Sequence, residues 1–180
     1  MTTYINIFGG PGAGKSTNAA RLFSILKLEG YNTELVTEVA KDFVWEEREK
    51  TMEIQPYITM KQYRNLFRLR GKVDFVVSDS PLLMGVLYAR KYSPELPESY
   101  ERLIQDLHND FISPSLNIML TRGHKYDTNG RYQTEEQAEE LDEDLIKVLE
   151  DSFVDFHLMN GDDLSTFILE WIRKNETSGL

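Results

Sequence analysis

Short apolar runs recur along the chain, and between them lie longer stretches whose apolar residues fall three or four positions apart. This alternation predicts strands separated by helices. Tyr4-Ile5-Asn6-Ile7-Phe8 reads as a buried strand, and residues 14–29 carry a helical pattern that stops at Gly30. Residues 33–37 predict a second strand with Glu38 at its carboxyl end, followed by helices over 40–50 and 56–70. A third strand over 73–78 is ended by Asp79-Ser80-Pro81. Helical stretches then cover 82–91 and 98–111, with Pro94 and Pro97 breaking the chain between them. Residues 116–121 predict a fourth strand, and the polar run 122–133 reads as a loop. Thr134 and Gln137 form a capping-box signature that opens an acidic helix to about residue 150. A fifth strand is expected over 153–158, and a last amphipathic helix turns Leu164, Phe167, Ile168, Trp171 and Ile172 inward.

Strands alternating with helices predict an α/β fold: a five-stranded parallel sheet covered by helices on both faces, in three layers. At 180 residues the chain has room for one such domain, spanning 1–180, with no repeat, low-complexity segment or linker. Apolar residues at 41% and charged residues at 28% fit a soluble globular protein. The absence of cysteine excludes disulfides and thiolate metal sites and fits a reducing compartment, so the cytoplasm is expected. No stretch reads as a signal peptide or a membrane span, and no membrane partner is expected. A net charge of −10 opposes nonspecific attraction to polyanions. Local basic runs remain, over 61–72 and 122–131, while acids crowd 135–144.

The chemistry is concentrated first in Gly9-Gly10-Pro11-Gly12-Ala13-Gly14-Lys15-Ser16, a glycine, four residues, then Gly-Lys-Ser, set between a predicted strand and a helix. In that setting backbone N–H groups and the positive helix end cradle a polyphosphate. Lys15 is expected at the β- and γ-phosphates, Ser16 on Mg2+, and Thr17 in support. Asp79, after an apolar strand, is a candidate for the Mg2+ shell or a simple turn former. Glu38 falls at the same edge of the sheet, as a ligand group or as an acid at a helix N-terminus. In the loop 122–133, Arg122 and Arg131 flank internal glycines, which suits a lid that closes on the transferring phosphate and excludes water. No Asn-Lys-x-Asp guanine reader is present, which removes translational-type GTPases. AAA- or RecA-type motors are set aside because they need more chain. An ATP-dependent kinase fits the length.

Taken together, Gly9 to Thr17, Thr37-Glu-Val-Ala-Lys-Asp42 with Trp45-Glu46, Gln55 and Gln62, Ser78-Asp-Ser-Pro-Leu-Leu83 and Gly130-Arg-Tyr-Gln133 resemble the small P-loop kinases of tailed bacteriophages. These are distant relatives of thymidylate and deoxynucleoside kinases. The resemblance spans about residues 4–160. Some members are 5-hydroxymethyl-deoxyuridine DNA kinases, and others are known only as ATPases or nucleotide kinases. It implies ATP and Mg2+ as cofactors, a phage-encoded protein in the host cytoplasm, and a role in DNA modification. It makes Glu38 the base for an acceptor hydroxyl and gives Gln62 a pyrimidine edge to read, with Tyr63 or Phe67 as stacking surface. The chain departs from the relatives at Ser80-Pro81, where an arginine usually follows the acid, and this weakens a monophosphate acceptor. A hydroxyl acceptor needs a carboxylate base, whereas a phosphate acceptor needs cationic clamps. Glu38 supports the first, and Arg64, Arg68 and Arg70 suit either a monophosphate or a DNA backbone. The expected reaction is phosphorylation of a pyrimidine nucleotide hydroxyl, most sharply 5-hydroxymethyl-deoxyuridine in phage DNA. The rivals are a kinase of free nucleosides or monophosphates, and an ATP-hydrolysing switch or binding module.

Overall fold

The computed structural model describes residues 1–122 and 134–177. The chain runs β1 (Thr3–Phe8), α1 (Lys15–Leu28), β2 (Thr33–Val36), α2 (Ala40–Trp45), α3 (Glu49–Met52), α4 (Gln55–Phe67), β3 (Phe75–Ser78) and α5 (Met84–Tyr92). It continues through α6 (Glu98–Phe111), β4 (Ser115–Leu120), α7 (Glu135–Asp151), β5 (His157–Met159) and α8 (Gly161–Thr177). The strands pair in the order β2-β3-β1-β4-β5, and every pairing is parallel. The expected five-stranded parallel sheet is therefore present, with helices on both faces.

Alternation along β1 divides the core. Tyr4 and Phe8 point into a cluster with α5, α6 and α7, while Ile5 and Ile7 point into one with α1 and α8. Asn6 is fully buried at the sheet centre, where its Nδ2 donates to Asn117 Oδ1 on β4 at 2.9 Å while its own Oδ1 has no partner. On α8, Leu164, Ile168 and Ile172 are buried, with Phe167 and Trp171 packed at the margin, as the spacing of that segment predicts. The capping box is present: Thr134 accepts from the Gln137 N–H, and the Gln137 side chain accepts from the Thr134 N–H.

The elements differ from expectation in places where local hydrogen bonds win over apolar pattern. The helix expected over 40–50 divides into α2 and α3, because Glu47 takes a left-handed φ of 55° and the Arg48 N–H turns back to the Phe43 carbonyl. The fifth strand starts at His157 instead of 153. Phe153 has φ 53°, its N–H bonds to Glu150 and the Val154 N–H to Leu149, so these residues close α7 in a Schellman arrangement. Val154 and Phe156 then pack on the core.

His108 on α6 is 2% exposed, its Nδ1 has no hydrogen-bond partner, and burial lowers its pKa to about 4. The folded imidazole stays neutral while the unfolded one protonates below its ordinary 6.5. The unfolded state thus binds the extra proton, and stability falls as pH drops from 6.5 towards 4. Between pH 7 and pH 5 urea titrations should show a loss of about 2 kcal/mol from this group. His108→Leu should flatten that slope, and an unchanged slope would reassign it to other groups.

Candidate active site

The phosphate loop spans the gap between β1 and α1. Gly14 precedes α1 with φ 84°, a conformation that favours glycine. The helix has no side-chain cap and no acid in its first turn, so its leading N–H groups are left for an anion. Lys15 Nζ donates to the Gly10 carbonyl at 3.0 Å. Ser16 and Thr17 follow in the exposed first turn.

Strand order brings two acids to this loop. Because all five strands are parallel, their carboxyl ends share one edge, and β3 lies between β1 and β2. Asp79 just beyond β3 therefore stands between the loop and Glu38 beyond β2. Asp79 is 4% exposed, and its Oδ1 is buried with no protein partner. Desolvation lowers the Lys15 pKa, opposed by the charges of Glu38, Asp79 and Asp142. Burial raises the Glu38 pKa; Lys15 opposes this and Asp79 adds to it.

Beside them opens a cavity of about 620 Å3, lined by Pro11, Lys15 and Glu38 and continued between α4 and α5. Its walls are mainly apolar, with Val39, Met52, Ile58, Leu82 and Met84, and Gln55, Thr59 and Gln62 supply neutral polar groups. Tyr88 and Tyr92 line one side as a stacked pair, ring centroids 6.1 Å apart at 24°. Burial and the Glu38 charge raise the Tyr88 phenol above its ordinary pKa, so it remains a neutral donor. Among the described residues Lys15 is the one cation in the lining.

The remaining expected residues fall differently. Gln62 lines the cavity, but its Oε1 accepts from the Val39 N–H at 3.2 Å and its Nε2 donates to the Ser80 carbonyl at 2.9 Å. The amide binds together the two loops that carry Glu38 and Asp79, instead of presenting a free edge. Arg64 is exposed and does not line the cavity, because two residues along a helix turn it about 200° from the Gln62 face. Arg122 bonds to Asp142 at 2.6 Å, Pro11 at 3.0 Å and Ala138 at 2.8 Å, so it sits at the outer rim of the phosphate loop. Of the lid expected over 122–133, all but Arg122 lies outside the described residues, Arg131 included. Asp142 is a site residue that sequence reasoning missed: it accepts from the Gly10 N–H as well as from Arg122. Its signal was an acid at core spacing, between Ala138 and Leu145.

A family model described as AAA domain matches residues 4–165. The chain belongs to this family. The length argument against AAA-type proteins is corrected accordingly: it weighs against a large motor, not against this family. Among solved structures, a deoxyadenosine kinase from M. mycoides with the products dCMP and a flexible dCDP bound is similar at 18% identity and a TM-score of 0.56. The match covers 99% of this AAA-domain chain and 100% of that one. The same kinase with dATP bound matches at 16% identity and a TM-score of 0.55, over 96% and 100% of the two chains. These likenesses show a shared fold across the whole chain. No curated protein matches the sequence. Among the described residues no helix is long and apolar enough to cross a membrane.

Proposed function

We propose that the protein is an ATP-dependent phosphotransferase of the nucleoside and nucleotide kinase type, acting on a hydroxyl of a pyrimidine nucleoside. The observation that carries this reading is the half-buried Glu38 carboxylate, which faces the same cavity as Lys15 of the phosphate loop. A carboxylate whose pKa is raised by burial is a stronger proton acceptor than an exposed one, and a hydroxyl nucleophile requires such a base. Glu38 takes the hydroxyl proton as the acceptor oxygen bonds to the γ-phosphorus. The bond from that phosphorus to the β–γ bridging oxygen breaks, and ADP carries away the electron pair. Lys15 faces the β- and γ-phosphates and stabilises the charge that develops there.

The residues fit a divalent cation. The unpartnered Asp79 Oδ1 is an oxygen acceptor suited to a Mg2+ water shell, and Ser16 supplies a hydroxyl at the start of α1. Among the described residues no group of three or more acidic or histidine side chains could hold a metal alone, which suits an ion bound mostly through phosphates and water. Bound Mg2+ supplies charge neutralisation on the β- and γ-phosphates.

The acceptor side favours a neutral group. With Lys15 as its one described cation and Glu38 and Glu53 beside it, the cavity lining repels a second phosphate. The product dCMP bound to the M. mycoides kinase supports a free nucleoside as lead acceptor, and the dCDP beside it keeps a monophosphate as the rival. The sharper expectation, a 5-hydroxymethyl-deoxyuridine base in phage DNA, asks the same chemistry of Glu38 but requires the base to be flipped out of the stack into the cavity. γ-Labelled ATP presented with free pyrimidine nucleosides, monophosphates and hydroxymethyluracil-containing DNA decides among these. Label on the nucleosides is expected. Label confined to monophosphates would overturn the neutral acceptor, and label confined to DNA would transfer the activity to the modified base. Phosphate release with no labelled acceptor would make the protein an ATP-hydrolysing switch.

A further inference from the structure

The most sequestered ion pair among the described residues lies outside the acceptor cavity, where α7 meets the phosphate loop. Arg122 and Asp142 have side chains only 16% and 17% exposed, whereas no other described pair has a member below 29%. Each charge has several partners. Arg122 Nε donates to Asp142 Oδ2 at 2.6 Å, Nη1 to the Pro11 carbonyl at 3.0 Å and Nη2 to the Ala138 carbonyl at 2.8 Å. Asp142 Oδ1 accepts from the Gly10 N–H. Ala138 and Asp142 are one turn apart on α7, so one helix face supplies both acceptors.

The contact also explains Gly10. A Cβ there would stand 2.7 Å from Asp142 Oδ1 and 2.9 Å from both the Ala138 carbonyl and Arg122 Nη2. The loop is thus gripped from outside at the Gly10 N–H and the Pro11 carbonyl, while Lys15 Nζ holds the Gly10 carbonyl between them. The acids next to Asp142 on α7, Glu143 and Asp144, are exposed, so solvation does not account for its placement.

We propose that Asp142 is a positioning residue for the donor site, holding the phosphate loop in its ATP-binding shape directly through Gly10 and indirectly through Arg122. This rests on the reading of that loop as the ATP site. Removing one member of a sequestered pair leaves the other charge uncompensated, so the loop it holds should lose its shape. Arg122 acts here as a structural cation at the rim of the loop.

The test is a double-mutant cycle on ATP binding by the full chain, measured by titration calorimetry and therefore independent of the acceptor. Asp142→Asn and Arg122→Ala should each weaken ATP binding by at least about tenfold. Relative to wild type, the double variant should be weakened by much less than the product of the two effects and lie close to the worse single variant, because both break one link. Asp142→Glu, which keeps the charge, should recover part of the loss. In turnover assays KM for ATP should rise while KM for the acceptor stays put. Wild-type ATP affinity in Asp142→Asn, or effects that multiply in the double variant, would overturn the proposal. Should Asp142→Asn fail to fold, Arg122→Lys tests the same link, since one ammonium cannot reproduce three directed bonds at these positions; undiminished ATP affinity there would also overturn it. A wild-type chain with no affinity for ATP would overturn the donor-site reading and this inference with it.

Discussion

Lys15→Ala is expected to lower phosphoryl transfer by about 10²–10³-fold, with the fold intact. The side chain stands at the first turn of α1, and its ammonium reaches back to the Gly10 carbonyl across the loop. It is desolvated among Glu38, Asp79 and Asp142, where its interaction with developing phosphate charge is screened far less than in water. Burial works against the charged form and the three surrounding acids oppose that effect; ATP adds more negative charge to the same place. Because the lost interaction strengthens as charge develops in the transition state, most of the effect should appear in kcat and a smaller part in KM for ATP. Thermal melts of the variant should stay close to wild type, since the side chain packs no core. Full transfer activity in Lys15→Ala would remove the phosphate loop from the reaction.

Glu38→Gln is expected to cost about 10²-fold or more in hydroxyl transfer with ATP binding retained. Glutamine preserves the shape of the side chain but cannot take the proton. The pH dependence separates a base from a merely structural acid. Burial raises the Glu38 pKa, so its carboxylate is ionised only above a shifted midpoint. The acid limb of the kcat profile should therefore lie higher than an exposed glutamate allows, with activity rising as pH increases through it. In Glu38→Gln that limb should disappear from the residual rate. If the variant kept full turnover and the same limb, Glu38 would be a structural group and the base would have to be sought elsewhere in the cavity.

Parts of this site were legible along the chain for reasons that act over a few residues. The glycine spacing before Lys15 dictates a loop whose N–H groups converge, and Gly14 takes its left-handed conformation without help from distant contacts. Thr134 and Gln137 satisfy one another's backbone partners and so mark the start of α7 on their own. Glu38 and Asp79 could be read as acids at strand ends, because apolar runs ending in acids show the ends. Other residues were misread where a side chain had more than one use. Gln62 was expected at a base edge, but it sits in line with Thr59 and Leu66 on the buried face of α4, where its amide is consumed by the Val39 and Ser80 backbones. Arg64 looked equivalent in a basic run, yet helix geometry turns it to solvent. The mostly apolar run 153–158 resembles a strand, and hydrogen bonds closing α7 claim the first of its residues.

By itself the sequence determined most of the elements and the phosphate loop on which the proposed donor chemistry rests, since backbone conformation and hydrogen bonding to near neighbours decide those. Tertiary structure alone decided which groups meet. Placing β3 between β1 and β2 sets Asp79 between Lys15 and Glu38, and burial of the sheet's two faces under different helices holds that order in place. Asp142 reaches Gly10 from 132 residues away, and its core spacing on α7 marks it as turned inward without naming the group it meets. Contacts between residues so distant in sequence carry a chain-entropy cost that only the burial of the assembled core offsets, so they become definite only when the whole fold forms.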